Sequence, residues 1–300
     1  MERVIEPAYA KINLLLQIVG KRIDGYHLLD GVMQTVSLRD TVTVAFEPAT
    51  ESTICLTAEG NPAMPTDERN LAYRAAEALL NATEKTGRVQ IHIEKHIPMA
   101  GGLAGGSTDA AATLRALDRL LGTPASMEEL CEIGAKLGAD VPFCIRGGAM
   151  RTQGIGEKLT PCAGLPSCHL VIACAGEGVS TPAAYKELDR RYGDFQDPTP
   201  KDRETEALMQ ALQAGDLSVI CGRMENLFEE IVPEHNAYVG IIRQTLLECG
   251  AVGAMMSGSG PSVFGIFKTV RDAEAGCAAL EKIGISGSVC EPIGREFSLC

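Results

Sequence analysis

The segment from Val89 to Leu121 constrains this chain more than any other. Val89, Ile91 and Ile93 alternate with Gln90, His92 and Glu94, the period of a strand with one face in a core. The strand runs into Pro98, and glycines follow at 101, 102, 105 and 106. Asp109 to Leu121 then places Leu114, Leu117, Leu120 and Leu121 among alanines at helical spacing, and Gly122 stops the helix. Strand, glycine turn and helix in this order form an anion site. Glycine lets the backbone approach closely, and the helix start supplies roughly half a positive charge and free N–H groups. Ser107 and Thr108 add hydroxyls at the helix start. A plain tight turn that packs the helix on a sheet is the alternative; four glycines with Ser-Thr behind them favour phosphate. Gly101 and Gly106 have the Walker spacing, but Ser107 stands where that motif needs lysine, and no G-x-G-x-x-G is present.

The remaining sequence narrows the class. Twenty-seven Lys and Arg against 39 Asp and Glu give a net charge of −12. That argues against a nucleic-acid binder, which needs basic surface, but not against a nucleotide held by backbone N–H groups. No apolar run reaches the roughly 18 residues of a membrane helix, and Met1 to Glu6 lacks the pattern of a secretory signal. The 11 cysteines are scattered without C-x-x-C, which reads as reduced thiols in a cytoplasmic protein. Three hundred residues exceed one ordinary core. Strands and helices mix without strict βαβ order, so the expected class is α+β in two lobes, 1–155 and 156–300.

Ala8 to Gly20 alternates as a strand, with Lys11 and Asn13 side by side on one face. Helices are expected over 70–80, 126–138, 204–214 and 236–248, the second opened by a Ser126–Glu129 capping box. Gly193 to Lys201 reads as a surface loop, and a second glycine run, Gly253 to Gly260, precedes a strand at Ser262 to Phe267. His92, Glu94 and His96 share a strand face, which is read as solvated rather than metal-binding.

Three segments together carry a resemblance. Ile97-Pro98-Met99-Ala100-Gly101-Gly102-Leu103-Ala104-Gly105-Gly106-Ser107-Thr108 resembles the ATP loop of the GHMP kinases. Pro7-Ala8-Tyr9-Ala10-Lys11-Ile12-Asn13-Leu14 looks like that family's first motif, and Gly253 to Ser262 like its third. Ala104 stands where the family usually has Gly and Thr108 where it usually has Ser; both are small enough to keep the loop. Within the superfamily, Arg22-Ile23-Asp24-Gly25-Tyr26-His27 and Leu137-Gly138-Ala139-Asp140-Val141-Pro142-Phe143 resemble the branch that phosphorylates a cytidine-diphosphate-linked methylerythritol on the non-mevalonate route to isoprenoids.

The resemblance implies a two-lobed GHMP kinase fold whose glycine-rich phosphate loop opens a helix, with Pro98 through Thr108 binding ATP. Magnesium accompanies the ATP, with no metal site of the protein's own. It carries a catalytic Lys–Asp pair onto Lys11 and Asp140. By residue type alone, Asp140 is equally a helix-end turn residue and Lys11 an edge-strand charge. A carboxylate near a substrate hydroxyl can accept its proton, and an ammonium can neutralise charge between alcohol and γ-phosphate. Tyr26 and His27 are expected to read the cytosine, Tyr185 to stack on it, and Asn13 and Thr181 to bind the rest of the substrate. The alternative for Tyr26 is a loop aromatic covering the sheet end. The partner expected is a small molecule, with no nucleic acid or membrane, and the protein a monomer or homodimer. A sister kinase for a mevalonate- or homoserine-like alcohol and a silent nucleotide sensor are the rival readings.

Overall fold

The alternation from Ala8 to Gly20 extends in both directions, and strand β1 runs Glu2–Lys21. Both of its faces are covered: Ile12, Leu14 and Leu15 are buried, and so are Lys11 and Asn13. Strand β2 is equally long, His27–Pro48. The computed structural model describes residues 2–122, 125–178, 180–193 and 202–294; the loop expected over 193–201 lies outside them beyond Gly193. The chain clusters into two units, Met1–Ala10, Arg39–Met99 and Ala104–Arg146 in the first, Lys11–Leu38, Ala100–Leu103 and Gly147–Cys300 in the second. This differs from a single boundary near residue 155. Strands of 20 and 22 residues are long enough to serve two cores in succession, so the chain leaves and re-enters each unit.

In the first unit, the end of β2 pairs antiparallel with β4, Gly87–Glu94, from Thr41↔Glu94 to Pro48↔Gly87. Strand β3, Thr53–Glu59, lies parallel on the other side of β4. Helices α1 (Leu71–Thr83), α2 (Gly105–Leu121), α3 (Met127–Leu137) and α4 (Val141–Arg146) complete the unit. Val42, Val44, Ile91 and Ile93 from the strands meet Leu79, Leu114, Leu117 and Val141 from the helices in one core. Asn70 caps α1 by accepting the Ala72 N–H, and the Ser126–Glu129 capping box forms at α3.

The second unit contains two groups of strands. The later half of β1 has β8, Glu225–Asn226, parallel beside it. The first half of β2 pairs antiparallel with β5, Ala149–Gly154, which pairs with β6, Lys158–Pro161. Gly31 lies where a Cβ would sit 2.4 Å from the Leu15 carbonyl oxygen, so no larger residue fits there. The other sheet runs β11-β7-β10-β9, all antiparallel: Gly287–Cys290, His169–Ala173, Val263–Phe267 and Gly253–Met256. Helices α5 (Thr181–Tyr192), α6 (Asp202–Ala214), α7 (Leu217–Cys221), α8 (Val232–His235), α9 (Ala237–Glu248) and α10 (Val270–Lys282) belong here. Leu246 and Leu280 pack with Val171, Val263 and Phe267. The ten described cysteines are free thiols. Among the described residues, no helix is long and apolar enough to cross a membrane.

Candidate functional site

Helix α2 begins earlier than its sequence suggests. Two glycines in a row read as loop, yet Gly105 and Gly106 are the first turn of α2, and the cap is Ala104 in the left-handed region with φ 59°. The Thr108 N–H returns to the Ala104 carbonyl at 2.9 Å. By helix geometry the N–H groups of Gly105, Gly106 and Ser107 have no acceptor within the helix, and these are the groups a phosphate needs. Thr108 is 1% exposed, which withdraws its hydroxyl from the loop surface. No side chain caps the helix. Ala104→Gly should therefore relieve about 1–2 kcal/mol of left-handed strain against about 0.4–1 kcal/mol of added unfolded-state entropy. The expected outcome is a small gain in stability by chemical denaturation; a loss would show that the Ala104 methyl makes an offsetting contact.

The loop apex is stitched into the second unit by the second glycine run. Ser262 N–H donates to the Gly101 carbonyl at 3.2 Å, and Ser257 Oγ donates to the Gly102 carbonyl at 3.0 Å. Ser257 Oγ also accepts the Asn13 N–H at 3.3 Å, and the Leu103 carbonyl accepts the Lys11 N–H at 3.1 Å. Asn226 in turn donates to the carbonyls of Met256 and Gly258, each at 2.8 Å. Lys11 is 5% exposed, not the solvent-facing edge charge its residue type allows. Its Nζ donates to Asn13 Oδ1 at 2.6 Å and lies 3.3 Å from where a Cβ on Gly258 would be. Lys11, Asn13, Gly102 and Gly258 thus converge. Ser257 belongs to the second glycine run, the segment that resembles the family's third motif, whereas Asn226, which supports that run, carries no motif of its own and was not legible from the sequence.

Also in the second unit, the His27 ring stacks on Tyr185 at 4.6 Å and 16°, and Tyr185 meets Phe228 edge-on at 5.1 Å. His27 Nε2 is 2.7 Å from Asp189 Oδ1, and Lys21 Nζ donates to Asp189 Oδ2 at 2.8 Å. These partners hold the Asp189 carboxyl below its ordinary range even though burial opposes it. Tyr26 stands beside this group in sequence and is 59% exposed. Thr181 opens α5, its hydroxyl 2.8 Å from that of Ser259. The structure therefore brings His27 together with Tyr185 and Thr181 with the second glycine run. Lys21 and Asp189 join the first pair from positions the sequence did not single out.

In the first unit, Asp140 follows the Gly138 cap of α3, and its carbonyl accepts the Cys144 N–H at 3.0 Å as α4 begins. The residue is half-buried. A Cβ on Gly138 would lie 3.9 Å from Ser107 Oγ, so the turn that carries Asp140 faces the start of α2. His92 engages Thr57 Oγ1 at 2.9 Å and approaches Glu59. Among the described residues, no group of three or more His, Cys, Asp or Glu is placed to hold a metal ion.

Comparison with known proteins gives consistent results. The GHMP kinases N terminal domain matches residues 70–148 and the GHMP kinases C terminal domain residues 208–286. A 4-diphosphocytidyl-2-C-methyl-D-erythritol kinase of Alkaliphilus metalliredigens is 41% identical over 275 residues, covering 92% of this chain and 91% of the relative. A kinase of the same name from Clostridium perfringens is 42% identical over 89% of this chain and 90% of its own. The crystal structure of a 4-(cytidine 5'-diphospho)-2C-methyl-D-erythritol kinase superposes with a TM-score of 0.75 at 32% identity, covering 97% of this chain and all of that one. A homoserine kinase from Cytophaga hutchinsonii, at TM-score 0.72 and 19% identity over 98% and 95% of the two chains, shares the fold.

Proposed function

Because the chain belongs to the GHMP kinases, with 4-diphosphocytidyl-2-C-methyl-D-erythritol kinases as full-length relatives, we propose that it transfers the γ-phosphate of ATP to the 2-hydroxyl of 4-diphosphocytidyl-2-C-methyl-D-erythritol. The observation that carries this reading is the first turn of α2, with three N–H groups open to an anion and Ser107 Oγ facing the Asp140 turn. ATP enters as its magnesium complex, as a substrate. The N–H groups of Gly105, Gly106 and Ser107 hold its phosphates, with Pro98 to Leu103 shaping the rest of the loop. Asp140 accepts the proton of the 2-hydroxyl as that oxygen bonds to the γ-phosphorus and the bond to the β,γ-bridging oxygen breaks, releasing ADP. The Lys11 ammonium, oriented by Asn13, offsets charge on the transferring phosphoryl group.

His27 and Tyr185 supply the aromatic platform for cytosine, with Tyr26 beside them. Asn13 and Thr181 contact the methylerythritol and diphosphate. A mevalonate or homoserine has no base to occupy such a platform, and a silent sensor needs neither Lys11 nor Asp140. The free thiols suit a reducing, cytoplasmic setting. The test is ADP release from magnesium-ATP with the cytidylylated methylerythritol, mevalonate, homoserine and galactose as acceptors. Turnover on the cytidine compound alone is expected. Turnover on another alcohol would remove the cytosine assignment, and ATP binding without turnover on any would replace the kinase by a sensor.

A further inference from the structure

Beneath the first turn of α2 is a closed set of three buried charges. Lys95 Nζ donates to Asp40 Oδ2 at 2.5 Å and to Asp109 Oδ2 at 2.7 Å, and both carboxylates are 0% exposed. Asp40 is fully engaged, its Oδ1 accepting the N–H groups of His96 and Ile97 at 2.5 and 2.8 Å. Asp109 is not: its Oδ1 is buried without a hydrogen-bond partner among the described residues. The ammonium also abuts the loop, since a Cβ on Gly105 would lie 3.0 Å from Lys95 Nζ. Lys95 and Asp40 are the charged groups that act on Asp109. The neighbouring faces of α1, β1 and α4 bring Ala72, Ala75, Ala8 and Val141 into the core that α2 shares.

With both carboxylates ionised, the set carries a net charge of −1 behind N–H groups that must hold a triphosphate. One proton on Asp109 makes it neutral. We infer that Asp109 is a positioning residue for ATP that takes up a proton from solvent, at its unpartnered Oδ1, when the nucleotide binds. The inference rests on the kinase reading in one respect, that ATP is the ligand of this loop. Burial raises the Asp109 carboxyl first, Lys95 lowers it and Asp40 raises it again, leaving it at about 7. The free protein is therefore partly ionised at neutral pH, and a nearby polyanion favours the protonated form. Asp109 acts through Lys95: once protonated it competes less for the ammonium, which is left with more of its field toward Gly105.

Isothermal titration of the full chain with magnesium-ATP, in excess magnesium and in buffers of different ionisation enthalpy, reads the proton directly. Net uptake of a fraction of one proton at pH 7 is expected, with ATP affinity falling as pH rises from 6 to 8. A one-unit difference in the Asp109 pKa between free and loaded protein corresponds to about a tenfold change in affinity. In Asp109→Asn, which fixes the neutral state, uptake and pH dependence should vanish, and ATP should bind more tightly than to wild type at pH 8. Zero uptake by the wild type, or equal uptake by both proteins, overturns the inference while leaving ATP as ligand. No ATP binding at any pH overturns the nucleotide reading and the inference with it.

An ATP-free readout separates structural effects. A carboxyl raised from 3.8 to about 7 on folding gives its full stabilisation below the lower value and loses it as pH climbs to the higher. Wild-type Tm should fall relative to that of Asp109→Asn across this interval. Parallel Tm profiles would overturn the assignment of the proton to Asp109.

Discussion

Asp140→Asn is expected to lower kcat by a factor of about 10²–10⁴, the range of one well-placed general base, with KM for ATP little changed. Asn has the same shape and keeps the backbone of the turn, whose carbonyl accepts the Cys144 N–H, so α4 and the core around Val141 remain. On the proposed mechanism, what it loses is the capacity to take the hydroxyl proton. The split between kcat and KM is the diagnostic: a loss confined to kcat removes an interaction realised only in the transition state. Steady-state kinetics with saturating alcohol substrate measures it. Turnover within a few-fold of wild type would remove Asp140 from the base role and leave positioning and charge compensation to carry the reaction.

Gly102→Ala should be the most damaging single-methyl change in the glycine loop between Gly101 and Gly106. The new Cβ would sit 2.0 Å from the backbone oxygen of Ser257 and 3.0 Å from the Gly260 nitrogen, at a residue whose φ is +76°. The neighbours cannot retreat, because Asn226 fixes both Met256 and Gly258 and Ser257 is itself bonded to Gly102. Left-handed strain of about 1–2 kcal/mol and overpacking of about 1–3 kcal/mol add to a loss of roughly 2–5 kcal/mol. Gly122→Ala is the control: its φ is +65°, but nothing lies within 4 Å of the added atom, so only the first term applies. Chemical denaturation of the two variants compares them. Equal losses would mean that the apex yields freely, and the stitching described above would then be ornamental.

The flanks of the loop were legible because each is a local pattern: alternation at 89–93 and leucines at helical spacing through 121 give a strand and a helix regardless of partners. The start of α2 was not, because Gly105 and Gly106 lack any propensity for helix and form one only where the Ala104 turn delivers them. Asp140 and Lys11 were placed by resemblance, and the burial of Lys11 was not legible because a lysine on a strand reads equally as an edge charge. The Lys95–Asp40–Asp109 set is invisible in sequence for a plainer reason. Its members are separated by up to 69 positions (109 less 40), and each alone resembles any charged residue. The sequence punctuates loops, whereas β1 and β2 change units in mid-strand, between Ala10 and Lys11 and between Leu38 and Arg39, with no glycine or proline at either point to mark it.

The attachment of Gly101 and Gly102 to Ser257 and Ser262 has a consequence in time. On the ribosome every segment of the first unit has been made once Arg146 is added, but the loop apex waits for partners 116 residues further on (262 less 146). At about 5–20 residues per second that is an interval on the order of ten seconds. During it the nascent chain has the start of α2 but no stitched apex. A chain stalled before Ser257 would lack the partners of Gly101 and Gly102 and would leave the apex of the glycine loop unfastened.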